Sequence, residues 1–468
     1  MKARVPRLLI AAPASGAGKT TVTCALLQAF IMRGLRATSF KCGPDFIDPL
    51  FHRKVIGADA HNLDLFLSSE AVVRALLADA GQACDVALLE GAMGYYDGIA
   101  ASDDASAWDI ACVTETPVVL VVDGRGRARS LAAEIRGFVE FRTPSCIVGV
   151  VLNRVSNALY SRLKNPIEEE TGLPMLGYMP KLDTCAFESR HLGLVTASEV
   201  EDLRQKLKAL AAAARESIDL EGILALARAS VPLEYDPETL GAVVRMDSRA
   251  GEGPCIAVAR DRAFCFSYAE SLRLLERLGA RLAFFSPLAD TVLPEGATGL
   301  YLGGGYPELY ARELAANRSL RAQIKTAVAA GMPTVAECGG FLYLHEELED
   351  NQGVFHEGVG VFPQRGYRTE RLGRFGYVTL EPQGESLLAG VDDRLCAHEF
   401  HYWESGDPGC AFTARKPQSM RVWKCAHVSP TLYAGFPHLY FPGAPPAAAR
   451  FVAACAAYGA EGACPTTC

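Results

Sequence analysis

A lysine among glycines at the mouth of a helical stretch, and a cysteine between an apolar run and two glycines, are the residues that could do chemistry in this sequence. The first lies in Ala11-Ala-Pro-Ala-Ser-Gly16-Ala-Gly18-Lys19-Thr20-Thr21, after one apolar run and at the start of a helical pattern. Glycines let backbone N–H groups close on phosphate oxygens, and the helix start adds the positive end of its dipole. Lys19 would contact β- and γ-phosphates and Thr20 would hold Mg²⁺, with Gly16, Gly18 and Thr21 completing an ATP cradle. Pro13 stands where such a loop usually begins with glycine.

A phosphate loop needs acidic partners for its metal and its chemistry. Lys41-Cys-Gly-Pro-Asp45-Phe-Ile-Asp48-Pro49 offers two carboxylates that could coordinate Mg²⁺ or hold a polar substrate beside the γ-phosphate; an Asp near Pro and Gly also serves as a turn cap. Leu89-Glu90-Gly-Ala-Met-Gly-Tyr-Tyr-Asp97-Gly98 ends a predicted strand, placing Glu90 as a metal ligand and Asp97 as a substrate or loop residue. Asn153, at another strand end, carries both a donor and an acceptor for an adenine edge, and could equally cap a turn.

The cysteine is Cys338, in Pro333-Thr-Val-Ala-Glu-Cys-Gly339-Gly340. A sharp strand-to-helix turn there would expose the thiol and aim the following N–H at an oxyanion. Cys338 would form a thioester with the side chain of glutamine and release ammonia. Gly303-Gly304-Gly305 upstream could supply a second oxyanion donor, and Gly339 the first. His438 is the candidate base, and His398 and His401 read as a substrate surface or a packed pair.

Elements must bring these residues together. Apolar runs at 8–12, 37–41, 86–90, 118–123 and 147–153 alternate with helical stretches, which implies a doubly wound parallel sheet covered on both faces. A charged, alanine-rich helix follows, then a Pro/Gly-rich stretch. A second α/β pattern runs through 256–259, 282–285, 299–302 and 334–336, and becomes strand-rich after about 354. The expected organisation is a domain over 1–235, a linker over 236–253, a second domain over 254–443, and a helix and tail over 444–468. The net charge of -8 argues against nucleic acid as a partner. The apolar runs are too short to span a bilayer, and the expected location is the cytoplasm. Fifteen cysteines without repeated ligand spacing read as reduced core residues, with Cys464 and Cys468 in an unstructured tail.

Taken in order, the phosphate loop, Lys41-Cys-Gly-Pro-Asp-Phe-Ile-Asp48, Glu90-Gly-Ala-Met-Gly-Tyr-Tyr-Asp-Gly98, Arg190-His-Leu-Gly-Leu194, Gly303-Gly-Gly-Tyr-Pro-Glu308, Glu337-Cys-Gly-Gly340 and His398-Glu-Phe-His-Tyr402 resemble the cobyrinic acid a,c-diamide synthase family over about residues 7–443. The resemblance implies a P-loop, dethiobiotin-synthetase-like domain fused to a class I glutamine amidotransferase domain. It implies that ATP activates the a- and c-acetate carboxylates of a corrinoid as acyl phosphates, and that ammonia from glutamine displaces phosphate. Lys19, Thr20, Asp45, Asp48, Glu90 and Asp97 carry over to the synthetase site, and Cys338 with His438 to the glutaminase. Class I glutaminases usually place a glutamate two residues after the histidine; here Tyr440 stands there, in Pro437-His-Leu-Tyr-Phe441. Other tetrapyrrole acids remain open as substrates, as does a homodimer as the assembly. A MinD/ParA-like ATPase switch is the reading from another class, and the absence of a basic amphipathic helix counts against it.

Overall fold

The computed structural model describes residues 1–182, 197–240 and 253–462. The Arg190–Leu194 motif, much of the expected linker, and Cys464 and Cys468 lie outside the described residues. The chain divides into two compact units, Met1–Thr239 and Leu240–Cys468.

The first unit is built on a seven-stranded sheet in the order Asp59–Leu63, Ala37–Cys42, Val86–Glu90, Arg7–Ala11, Val118–Asp123, Ile147–Asn153, Met175–Met179. Every adjacent pair is parallel. All residues of Arg7–Ala11 and Val86–Glu90 are buried. Successive residues of a strand face opposite sides, so both faces of the sheet are covered, and this explains the continuous apolar runs. Helix Lys19–Met32 shares one core with Ala197–Ser217 and Leu220–Arg228, through Val22, Leu26, Phe30, Leu207, Leu210 and Ile223. Two strands were not legible as apolar runs. Asp59–Leu63 has the sequence Asp-Ala-His-Asn-Leu, and it is held at the sheet edge although His61 and Asn62 are buried polar residues. Met175–Met179 closes the other edge.

In the second unit, six strands run in the order Arg281–Phe285, Cys255–Ala259, Ala297–Leu302, Thr334–Glu337, Leu432–Gly435, His427–Ser429, with only the last pair antiparallel. The twofold period of the strands sorts their side chains into two cores. Ile256, Val258, Tyr301, Val335 and Tyr433 enter one, while Ala257, Ala259, Leu302, Ala336 and Ala434 enter the other. An antiparallel sheet contributes Val378, Leu380, Ala397 and Phe412 to the first core, and the closing helix Pro445–Gly462 adds Phe451, Val452 and Cys455. That helix is therefore part of the unit's interior rather than an appendage. Among the described residues no helix is long and apolar enough to cross a membrane.

Candidate active sites

The phosphate loop joins strand Arg7–Ala11 to helix Lys19–Met32, at the carboxyl edge of the sheet. Gly18 is the residue before the helix and has φ 105°, a conformation that side chains resist. It also has no room for one, because a Cβ there would fall 1.9 Å from Asn153 Nδ2. Asn153 donates to Ala17 O at 2.9 Å and Arg154 donates to Gly16 O at 3.0 Å while pairing with Asp123, so the strand end Ile147–Asn153 braces the loop. Lys19 is buried, donates to Ala14 O at 3.2 Å and also to Met93 O, and its pKa is lowered to about 8 by burial and then by Lys41. Met93 has φ 47°, a strained conformation that turns its carbonyl onto this lysine.

Behind the loop lies a buried ionic cluster. Thr20 donates to Glu90 Oε1 at 2.6 Å; Lys41 donates to the same oxygen at 2.9 Å and to Asp48 at 2.5 Å. Burial alone would discharge Lys41, but Asp48 and Glu90 outweigh it and keep its pKa well above the ordinary value. The Asp48 carboxyl is held low chiefly by Lys41 against the cost of burial, whereas burial keeps the Glu90 carboxyl raised. Glu90 is fully buried, its Oε2 meets no hydrogen-bond donor among the described residues, and His52 Nε2 lies 3.8 Å from it. Asp45 accepts from the N–H groups of Ile47 and Asp48, which is the turn-capping role, and burial followed by Asp48 raises its pKa to about 6. Asp97 is exposed and accepts from Gly94 N–H at 2.9 Å, shaping the loop after Glu90. Thr21 sits half-buried in the first helical turn.

The oxygen donors suit a hard cation. Thr20 and the uncommitted Glu90 Oε2 fit one or two protein ligands of a Mg²⁺ otherwise held by phosphates and water. No cluster of three metal-binding side chains exists among the described residues. Lys41 is the residue that sequence reasoning passed over. Its signal was a charge inside a strand whose neighbours are all buried.

In the second unit, Cys338 has φ 47° and ψ −101° between strand Thr334–Glu337 and helix Gly339–Tyr343. Strain of this kind is what a nucleophile elbow requires. The turn is pinned by Cys338 N–H donating to Gly435 O at 2.8 Å. Glycines are needed around it, since a Cβ at Gly340 would fall 2.0 Å from Leu302 O, and one at Gly339 would fall 3.0 Å from Gly305 N. The loop Gly303–Gly305 thus packs on the elbow, and Gly304 faces His438, whose Cε1 would lie 2.4 Å from a Cβ there. A Cβ at Gly303 would meet Phe266 O at 2.7 Å.

Burial raises the Cys338 pKa, and the nearby Glu308 carboxyl adds to this. Glu308 is buried, and no cationic side chain pairs with it among the described residues; burial raises its pKa to about 8. His438 is buried on a short strand, His438–Leu439, opposite His398, whose pKa burial lowers to about 3. His401 stacks on Phe436 at 3.9 Å and approaches Glu399 at 3.4 Å. His398 and His401 are therefore packed residues of one strand, and among the described residues they belong to no group of three side chains that could hold a metal.

These features define a class: a P-loop nucleotide-binding domain fused to a class I glutamine amidotransferase domain. Residues 8–194 match the CobQ/CobB/MinD/ParA nucleotide binding domain, and residues 255–441 match the CobB/CobQ-like glutamine amidotransferase domain. The chain is similar to a cobyrinate a,c-diamide synthase of Salmonella typhimurium, 38% identical over 465 residues, covering 97% of this chain and 99% of the relative. It is 40% identical over 399 residues to that of Thermoplasma volcanium, covering 85% of this chain and 86% of the relative. For that of Listeria innocua the identity is 38%, over 93% of this chain and 96% of the relative. The chain belongs to the cobyrinate a,c-diamide synthase family.

Proposed function

We propose that this protein amidates the a- and c-acetate carboxylates of cobyrinic acid, using ATP and ammonia taken from glutamine. One observation carries the proposal: a single chain holds both a phosphate loop backed by Lys41, Asp48 and Glu90 and a strained cysteine elbow packed against a glycine loop that itself faces a histidine. In the synthetase site a carboxylate oxygen attacks the γ-phosphorus, ADP leaves, and an acyl phosphate forms. Lys19 and the loop N–H groups neutralise the transferring phosphoryl group. Thr20, Glu90 and Asp45 would hold Mg²⁺, which would supply charge neutralisation at the transferring phosphoryl group. Asp48, Asp97 and Lys41 line the substrate side, and Gly16, Gly18, Thr21 and Asn153 shape the ATP cradle. Ammonia then attacks the acyl carbon and phosphate departs.

In the glutaminase site His438 takes the Cys338 proton, the sulfur attacks the glutamine amide carbon, and Gly339 and Gly304 N–H groups receive the oxyanion. Ammonia leaves, and water hydrolyses the thioester to glutamate. Glu308, buried with no cationic partner among the described residues, is the group that the α-ammonium of glutamine would meet. Residues 1–235 and 254–443 are the working domains on this reading. A cytoplasmic location and assembly as a homodimer belong to the same proposal.

Mass spectrometry of cobyrinic acid incubated with protein, ATP, Mg²⁺ and glutamine tests it. Two successive amidations are expected, and a Cys338→Ala variant should perform them with ammonia but not with glutamine. An unchanged mass in the presence of an active glutaminase would remove cobyrinic acid as the substrate.

A further inference from the structure

Catalytic imidazoles paired with a nucleophile need a partner on the far ring nitrogen to hold their orientation and tautomer. Tyr440, at the position where class I glutaminases carry that partner, brings no carboxylate; it is buried and meets Tyr268 edge-on at 5.0 Å. A carboxylate arrives from a different element. Glu337, the residue immediately before the nucleophile, is 1% exposed and places Oε2 3.7 Å from His438 Nδ1.

The placement follows from the sheet. Strand Thr334–Glu337 pairs with Leu432–Gly435, with Glu337 opposite Gly435, and His438 lies three residues beyond that glycine. Glu337 is fixed from two further sides, by Leu439 N–H donating to Oε1 at 3.1 Å and by Tyr301 OH donating to Oε2 at 3.0 Å. The other carboxylates around Cys338 are differently engaged: Glu399 approaches His401, and Glu308 belongs to the loop after Gly305. At 3.7 Å the pair lies within ion-pair range and short of a hydrogen bond, a separation that often shortens when a site engages its substrate.

We infer that Glu337 is the positioning residue of His438, holding the proton on Nδ1 and leaving Nε2 to accept from the Cys338 thiol. The inference rests on the glutaminase reading above. It makes the elbow self-contained, since one strand end supplies both the nucleophile and the orienting carboxylate.

Glu337→Gln keeps an acceptor for Leu439 N–H and removes the charge. In the full-length protein the kcat for glutamine hydrolysis should fall at least about tenfold with KM little changed, since neutral replacement of such a carboxylate elsewhere costs up to ~10⁴ in kcat. Ammonia-driven amidation should persist, and ¹⁵N spectra of His438 should show loss of the Nδ1–H tautomer. Tyr301→Phe, which loosens Glu337 without removing it, should lower kcat less and in the same direction. An unchanged kcat and tautomer in Glu337→Gln would overturn the inference, as would equal loss of both activities, which marks a structural role. The tautomer is read without substrate, so a wild-type protein unable to hydrolyse glutamine would defeat the glutaminase reading while the spectra still judged Glu337.

Discussion

A carboxyl buried without a cation, as Glu308 is, binds its proton more tightly in the folded chain than in the unfolded one. Its pKa rises from 4.5 to about 8, so the folded state holds more protons between those values. Stability from this group is fully present below 4.5 and is lost as pH rises through about 8. Glu308→Gln removes the dependence. Thermal melts of wild type and variant between pH 5 and 8 should diverge, the variant becoming relatively more stable at higher pH; parallel melting curves would contradict this. The same variant should raise the KM for glutamine if the α-ammonium is the missing cation. Lys41 shows the opposite solution, a buried ammonium matched by two carboxylates. Breaking such a cluster from one side typically costs roughly 3–5 kcal/mol.

Among the elements, the strand-to-helix turns carry the chemistry, and their glycines are sites of close approach. Gly18→Ala meets two obstacles: a side chain at φ 105°, costing roughly 1–2 kcal/mol, and a Cβ 1.9 Å from Asn153 Nδ2. Calorimetric titration should show ATP binding lost. Adding Asn153→Ala relieves the contact but not the backbone strain, so only part of the affinity should return. Full recovery would mean that the clash alone sets the glycine requirement. At the other site the elbow turn is held by Gly435, so the strand Leu432–Gly435 positions the nucleophile on one side and leads into His438 on the other.

Across the whole molecule, the proposed reaction is divided between two units, each with its own core. Lys19→Ala should therefore lower ATP-dependent amidation with either nitrogen source by roughly 10²-fold or more, the scale for losing one preorganised cation or donor. Glutamine hydrolysis at Cys338 should remain measurable. Loss of thioester formation in Lys19→Ala, measured by trapping the Cys338 intermediate, would show that the chemistry is not separable in this way.

The placement of Gly16 to Thr21, Glu90, and Cys338 with its glycines at strand ends was legible without coordinates, because it depends only on type, local spacing and a strand running into a turn. The parallel sheet was legible too, because strands covered on both faces must be apolar throughout. Edge strand Asp59–Leu63 was not, since its burial comes from neighbours distant in sequence. Nor could spacing reveal that Asn153 and Arg154 brace the phosphate loop across more than 130 residues, or that Lys41 sits between two carboxylates; it left Asp45 open between metal ligand and turn cap, and the structure shows the cap. The sequence places Tyr440 where class I glutaminases usually carry a glutamate after the histidine, and leaves the partner of His438 open. Tertiary structure brings Glu337 to the imidazole instead, because the pairing of two parallel strands decides which side chains meet, and that pairing is invisible in linear order.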